Sequence, residues 1–335
     1  MRILVTGAGG FIGHHLVKRL RADGHWVRGG DVKYPEFEPS DAHEMLIGDL
    51  RSFESCARAV AGVDEVYHLA ADMGGIGYIS ANHAQLTRNN LLIDANMLEA
   101  AHLAGVTRYL YTSSACVYPS FLQTSEEAGN LKERDAIPAD PEKGYGWEKL
   151  MAEQLATYYH EDHGLDVRLV RFHNIYGPLG TYDGGKEKAP AAIMRKVSVA
   201  KAEDEIEVWG DGEQTRSFCY IDDCVEGLAR IMRSDYNAPV NLGTDELVTV
   251  NELVDAVAAA AGKRIHKRHD LTKPQGVRGR NSDNSLLREL LDWEPRTTLR
   301  EGLAKTYPWI WRQMDRRGAA QQPAPVETGV SKGVA

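Results

Sequence analysis

Tyr145 and Lys149 stand four residues apart in Tyr-Gly-Trp-Glu-Lys, the spacing that puts two side chains on one face of a helix. A phenol with an unperturbed pKa near ~10 is too weak an acid to serve as a base at neutral pH. A lysine one turn away supplies positive charge that favours the phenolate. Such a pair can draw the proton from a substrate hydroxyl while hydride leaves the carbon that bears it. Ser114, at the end of the apolar run Arg108–Ser113, can hold the same hydroxyl. Cys116 follows in Ser113-Ser-Ala-Cys-Val-Tyr118. A thiol near ~8.5 becomes a usable base where positive charge lowers it, and a lysine depressed by burial is another candidate. Taken alone, a Tyr/Lys pair is ordinary helix surface and a cysteine a small buried hydrophobe. The elements that would position them change that weighing.

Arg2-Ile-Leu-Val-Thr6 predicts a strand buried on both faces of a parallel sheet. Gly7, Gly10 and Gly13 follow at three-residue spacing, and a helical pattern runs from Phe11 to Asp23 with Ile12, Leu16 and Leu20 on one face. Missing β-carbons let the backbone approach a pyrophosphate, and a helix N-terminus offers it free N–H groups. A second strand from His25 to Gly30 ends at Asp31. An acidic residue there accepts hydrogen bonds from the adenosine ribose and repels a 2′-phosphate, which favours NAD over NADP. Lys33 nearby weakens that preference slightly.

Further strands are predicted at Glu65–Leu69, Arg108–Ser113 and Asp166–Phe172, with helices at Leu91–Leu103 and Lys149–His160 between them. This alternation argues for an α/β fold, a Rossmann-type doubly wound parallel sheet. After Pro178 the rhythm changes. A glycine-rich loop, 180–185, leads into a helix near 191–200, a short strand at 206–208 and the turn Gly210-Asp-Gly212. Residues 221–232 and 240–243 read as a return to the first lobe, and 251–261, 286–291 and 299–314 as helices of a smaller one. The expected organisation is a dinucleotide-binding domain over 1–178 with a return of 214–245. A substrate-binding lobe is expected over 179–213 and 246–317, and a disordered tail over 318–335.

The chain has 335 residues, 43% of them hydrophobic, enough for a large core. Its net charge of −9 and lack of a basic stretch argue against a nucleic-acid partner. No apolar run approaches the ~18 residues of a membrane span. The first strand starts at residue 2, so the expectation is that no signal peptide precedes it. Cys56, Cys116, Cys219 and Cys224 form no C-x-x-C pair and read as reduced thiols of a cytoplasmic protein. No metal is expected.

These residues resemble the extended short-chain dehydrogenase/reductase superfamily of nucleotide-sugar enzymes over about residues 1–315. Within it the likeness narrows to the GDP-mannose 3,5-epimerase family. That narrower likeness rests on the segments 70–75, 113–119, 171–178, 184–190, 209–218 and 277–284. The cysteine after Ser-Ser-Ala, joined to Glu187-Lys-Ala-Pro190, is its most specific part; the tail departs from the shared pattern. The resemblance implies that Tyr145, Lys149 and Ser114 carry hydride transfer at C4 of the sugar to NAD. It implies that Cys116 and Lys188 are the acid/base pair that inverts C3 and C5. Related 4,6-dehydratases carry an Asp-Glu pair where this chain has Ala115 and Cys116, so no acid stands there to expel a C6 hydroxyl. The resemblance further assigns Gly7, Gly10, Phe11, Ile12, Gly13, Asp31, Asp49, Leu50 and Ala70 to NAD. To GDP-mannose it assigns Gly74, Ala115, Asn174, Glu187, Ala189, Lys196, Gln214, Thr215, Arg216 and Arg278. A homodimer packed through the helices around 91–103 and 149–160 is expected. The competing readings are a 4-epimerase, decarboxylating or dehydrating relative, and a non-catalytic NAD-binding sensor.

Overall fold

Alternate residues of the first strand enter two different cores. Ile3 and Val5 pack with one set of helices and Leu4 with another, which is why the run is apolar throughout. The computed structural model describes residues 1–127 and 130–321. Its first half runs β1 (Arg2–Thr6), α1 (Phe11–Ala22), β2 (Trp26–Asp31), β3 (Glu44–Ile47), α2 (Phe53–Val60) and β4 (Glu65–His68). It continues through α3 (Ile76–Ala81), α4 (His83–Leu103), β5 (Arg108–Ser114), α5 (Tyr145–His163) and β6 (Asp166–Phe172). The second half holds β7 (Ile175–Tyr176), α6 (Ala189–Val199), β8 (Glu205–Trp209), β9 (Thr215–Arg216), β10 (Cys219–Tyr220), α7 (Ile221–Arg233) and β11 (Pro239–Leu242). Then come β12 (Val248–Thr249), α8 (Val250–Ala260), β13 (His266–Asp270), β14 (Gly279–Arg280), α9 (Ser285–Leu291) and α10 (Leu299–Arg316).

Seven strands form one parallel sheet in the order β11-β6-β5-β4-β1-β2-β3. Leu16, Val17 and Leu20 of α1 join Val225, Leu228 and Ile231 of α7 on the face that Ile3 and Val5 enter. On the other face, Cys56 and Ala59 of α2, Met97 and Leu98 of α4, and Ala152 and Ala156 of α5 pack around Leu4. β2 and β3 lie on one side of β1, the remaining strands on the other. The order reverses between β1 and β4, and ligands of such sheets bind at the C-terminal edge beside that point. Four connections meet there: 7–10 after β1, 69–75 after β4, 115–118 after β5 and 173–178 after β6.

Residues 219–242 come back to this lobe. β10 pairs with β7, α7 packs on α1, and β11 joins the sheet edge with Val240 opposite Val170. α6, α8 and α10 pack on one another, and their Met194, Val197, Leu253, Val257, Leu303 and Ile310 belong to the same core as α1 and α7. Thr249 with Glu252, and Thr298 with Glu301, form capping boxes that start α8 and α10. The expected tail, 318–335, lies from 322 onward outside the described residues. Before that point, Ala319 and Ala320 pack on the core, and the Gln321 N–H donates to the Ser198 carbonyl at 2.9 Å.

Candidate active site

The cap residue of α1 is Gly10, which has no side chain to satisfy the first N–H groups of the helix. Gly7 turns the chain at φ 71°, and its carbonyl accepts the Gly10 N–H at 2.9 Å. A β-carbon at Gly13 would lie 2.2 Å from the Gly7 carbonyl oxygen, so only glycine lets α1 seat this closely on β1. Asp31 Oδ2 accepts the Gly9 N–H at 2.9 Å and its Oδ1 the Lys33 N–H at 3.2 Å. Burial raises the Asp31 carboxyl above its ordinary value, while these N–H groups oppose it. A carboxylate has about four lone-pair sites, so both oxygens can still accept from a ribose. The cradle of free N–H groups and missing β-carbons fits a dinucleotide pyrophosphate. Phe11 and Ile12 open α1, and the Ala70 N–H donates to Thr6 Oγ1 at 3.1 Å beside the loop. Asp49 pairs with Arg51 at 2.6 Å, and buried Leu50 accepts from Cys56 Sγ at 3.1 Å. Gly13→Ala is expected to destabilise the protein by about 1–3 kcal/mol, the cost of overpacking, and to weaken dinucleotide binding. Thermal denaturation and dinucleotide titration check this; an unchanged midpoint contradicts it.

Tyr145 is the first residue of α5, four residues upstream of the expected helix start, because Gly144 enters the turn at φ 77°. The positive end of the helix therefore lies at the phenol. A β-carbon on Gly146 would stand 2.2 Å from the Cys116 carbonyl oxygen, so Gly146 lets the first turn of α5 rest against the 115–117 turn. This contact brings Tyr145 and Cys116 into one cluster with Ile79 and Leu86. Lys149 is 2% exposed; its ammonium donates to Tyr111 Oη at 3.0 Å and lies 3.8 Å from Asp94 Oδ2. Burial, then the charges of Glu148, Cys116 and Asp94, raise the Tyr145 phenol well above its ordinary value, with a Ser114 hydrogen bond opposing. Burial likewise raises the Glu148 carboxyl above its ordinary value, with Lys149 and Asn90 opposing. Its Oε1 accepts from Asn90 Nδ2 at 2.7 Å, and its Oε2 has no partner among the described residues.

Ser114 caps the short turn that follows β5, accepting the Cys116 N–H at 3.2 Å, with Ala115 buried between them. Arg280 Nη1 approaches Cys116 Sγ at 3.4 Å, and its Nε donates to Gln123 Oε1 at 2.5 Å. Burial, then the Glu142 carboxylate, push the thiol up to about 11, against the pull of Arg280 and Ser114. Lys188 is the cap residue of α6. Its ammonium makes no hydrogen bond or ion pair among the described residues, and burial lowers it below the ordinary lysine value while Cys116 and Cys224 oppose. The Gly75 N–H donates to the Lys186 carbonyl at 3.0 Å, which ties the loop before Lys188 to the first lobe, and Gly74 packs on Tyr78. Glu187 faces the loop itself, accepting from the Gly185 N–H at 2.7 Å and from Arg195 at 3.2 Å; Ala189 is exposed at the start of α6.

The other expected substrate residues divide. Arg216 donates to the carbonyls of Thr215 and Val277 at 2.7 and 2.6 Å and has no carboxylate in ion-pair contact among the described residues. Burial, then the Arg280 charge, bring it down to about 9, against the pull of Glu142, whose carboxylate lies 4.0 Å from Arg280 Nη2. Arg278 instead is held by Asp211 at 2.8 Å and by Glu126 at 2.5 Å. Lys196 donates to the Glu207 carbonyl at 2.7 Å, Gln214 to Trp209 O at 2.9 Å and Thr215 to Glu126 O at 2.6 Å. Asn174, at φ 44°, donates to Ser217 O at 2.9 Å. Sequence reasoning missed Arg280, Asp94, His68 and Tyr111. For Arg280 the signal was present in Arg278-Gly-Arg280, where two guanidinium groups competed for one role.

Residues 3–243 match the model of the NAD dependent epimerase/dehydratase family. The chain is 48% identical over 321 residues to the GDP-mannose 3,5-epimerase of Arabidopsis thaliana, covering 95% of this chain and 84% of that one. Among solved structures it resembles the UDP-glucose 4-epimerase of Thermotoga maritima with UDP-glucose. The TM-score is 0.85 at 25% identity, over 94% of this chain and 100% of that one. The Thermus thermophilus UDP-glucose 4-epimerase complex with NAD gives 0.81 at 26% identity, over 92% and 99%.

Proposed function

The chain belongs to the NAD dependent epimerase/dehydratase family, and from that premise we propose that it converts GDP-mannose to GDP-L-galactose, with GDP-L-gulose as the product of inversion at C5 alone. What supports this over a 4-epimerase or a dehydratase is Cys116, beside Tyr145 and within the Coulombic influence of Lys188. The 48% identity to a GDP-mannose 3,5-epimerase supports the choice of nucleotide sugar.

Gly7, Gly10, Gly13 and Asp31 would hold NAD, which would supply a reversible hydride acceptor for C4 of the sugar with no net consumption of cofactor. Tyr145 accepts the proton of the C4 hydroxyl while Ser114 holds the same oxygen. Lys149 lends the phenolate its charge. The resulting C4 carbonyl acidifies the protons on C3 and C5. Cys116 and Lys188 then remove a proton from one face of each carbon and supply one to the other. In the free protein the thiol, pushed up to about 11, holds its proton, and the lysine is the member shifted toward its neutral form. Arg216, whose bonds run to carbonyls and to no carboxylate among the described residues, is suited to the diphosphate or the sugar oxygens, with Arg280 beside it.

Incubation with GDP-mannose in deuterated water tests the reading. Deuterium is expected at C3 and C5 of the recovered sugar, with C4 keeping its own hydrogen, as read by NMR. Turnover with deuterium at C4 alone, or at no carbon, overturns it.

The assembly is a homodimer in this reading. α4 and α5 lie side by side and carry exposed Leu91, Leu92, Trp147, Met151 and Tyr158, an apolar surface suited to a second copy. Sedimentation measures it. Among the described residues no helix is long and apolar enough to cross a membrane. All four cysteines are free thiols, which suits a reducing cytoplasm.

A further inference from the structure

Beneath the hydride-transfer residues runs a buried chain of hydrogen bonds whose direction can be worked out donor by donor. Thr6 Oγ1 accepts the Leu69 and Ala70 N–H groups at 3.0 and 3.1 Å. A hydroxyl has two acceptor sites and one proton, so that proton is left for His68 Nδ1, 2.8 Å away. With Nδ1 accepting, the imidazole proton sits on Nε2 and is donated to Asp94 Oδ1 at 3.0 Å. Tyr111 donates its hydroxyl to Asp94 Oδ2 at 2.9 Å and accepts from the Lys149 ammonium at 3.0 Å. Each carboxylate oxygen is thus met by a donor, as ionised Asp94 requires, and the neutral imidazole leaves Lys149 as its counter-charge.

We propose that Asp94 is a positioning residue of the hydride-transfer site: through Tyr111 it holds Lys149 in place, and through His68 and Thr6 it ties that lysine to the loops after β1 and β4. The proposal rests on the roles given above to Tyr145 and Lys149.

The surroundings favour this role. Lys149 and Asp94 are 2% and 1% exposed, and a buried charge is held in place by a buried partner. Burial pushes the Asp94 carboxyl up, but Lys149, His68 and Tyr111 outweigh it and hold it below the ordinary range. The titratable groups facing the pair are His68, Tyr109, Tyr111, Tyr145 and Glu148. Burial raises the Glu148 carboxyl, and its Oε1 accepts from Asn90 Nδ2 at 2.7 Å rather than from Lys149. No other carboxylate lies in ion-pair contact with Lys149 among the described residues.

Removing the Asp94 charge has two effects of opposite sign. As a bare negative charge near Tyr145, its loss favours the phenolate and lowers the pH at which hydride transfer sets in. As the anchor of Lys149, its loss lets the ammonium move away from the phenol and raises that pH. The proposal requires the second to win. Asp94→Asn keeps the shape, and Tyr111→Phe removes the hydroxyl that bridges to Lys149 while leaving the carboxylate 3.8 Å from the ammonium. In each NAD-loaded variant and in the parent, reduced nicotinamide is followed in a single turnover of GDP-mannose from pH 6 to 9. The expected result is an onset moved up by about one pH unit in both variants, about a tenfold slower transfer at pH 7, and little change in substrate affinity. If Asp94→Asn does not fold by circular dichroism, Tyr111→Phe decides. Transfer in the parent with an unmoved or lowered onset in the folded variants overturns the proposal alone. Absence of transfer in the parent overturns the reading of the site and this proposal with it.

Discussion

Tyr145→Phe is expected to lower the rate of C4 hydride transfer by about 10³-fold or more, at the upper part of the range for losing a general base. The phenol is the one group at the start of α5 able to take the hydroxyl proton, and phenylalanine keeps its shape while removing the oxygen. No neighbour can replace it. Ser114 is not basic, Cys116 holds its proton with a pKa of about 11, and Lys149 is committed to Tyr111 and Asp94. Inversion must fail together with oxidation, because without the C4 ketone the hydrogens on C3 and C5 are not acidic. Stability should change little, since one buried hydroxyl contributes about 1 kcal/mol. Single-turnover absorbance of the reduced nicotinamide gives the rate. A fall of less than about tenfold shows that another group takes the proton.

The second large effect separates the two halves of the reaction. Cys116→Ala leaves Tyr145, Lys149 and the glycine loop untouched, so hydride should still leave and return to C4 at a rate within a few-fold of the parent. Inversion should drop by about 10²–10⁴-fold, the usual worth of a proton-transfer group. Arg280 keeps its bond to Gln123 Oε1 at 2.5 Å, so its position should survive loss of the sulfur contact. Single-turnover absorbance of the reduced nicotinamide reports the first step, and deuterium uptake at C3 and C5 the second. Near-parent uptake shows the cysteine to be packing only. The pH profile of the parent adds the direction of proton flow. With the thiol pushed up to about 11, Cys116 acting as base makes inversion climb as pH rises toward that value. Cys116 acting as acid leaves inversion flat at neutral pH and lets it fall as the thiol titrates.

Some of this was legible because it depends on geometry inside a few residues. The Tyr145–Lys149 spacing is helical, Ser114 and Cys116 leave one strand end together, and Gly7, Gly10 and Gly13 mark a strand turning into a helix. Apolar runs buried on both faces disclosed β1, β4, β5 and β6. Glu44–Ile47 and Phe53–Val60 went unassigned: β3 is a short, half-buried edge strand, and α2 is two turns long.

Other features exist only once distant strand ends are side by side. Asp94 meets His68 across 26 residues and Tyr111 across 17, and Arg280 reaches Cys116 across 164. Nothing in local spacing distinguishes Arg280 from Arg278; packing does, by giving Arg278 the carboxylates of Glu126 and Asp211 and leaving Arg280 to the thiol. The residue types capable of acid–base and hydride chemistry were determined by the sequence alone. Which of them carry a charge was decided by the tertiary structure, because burial penalises charge unless a partner from another element is brought within reach.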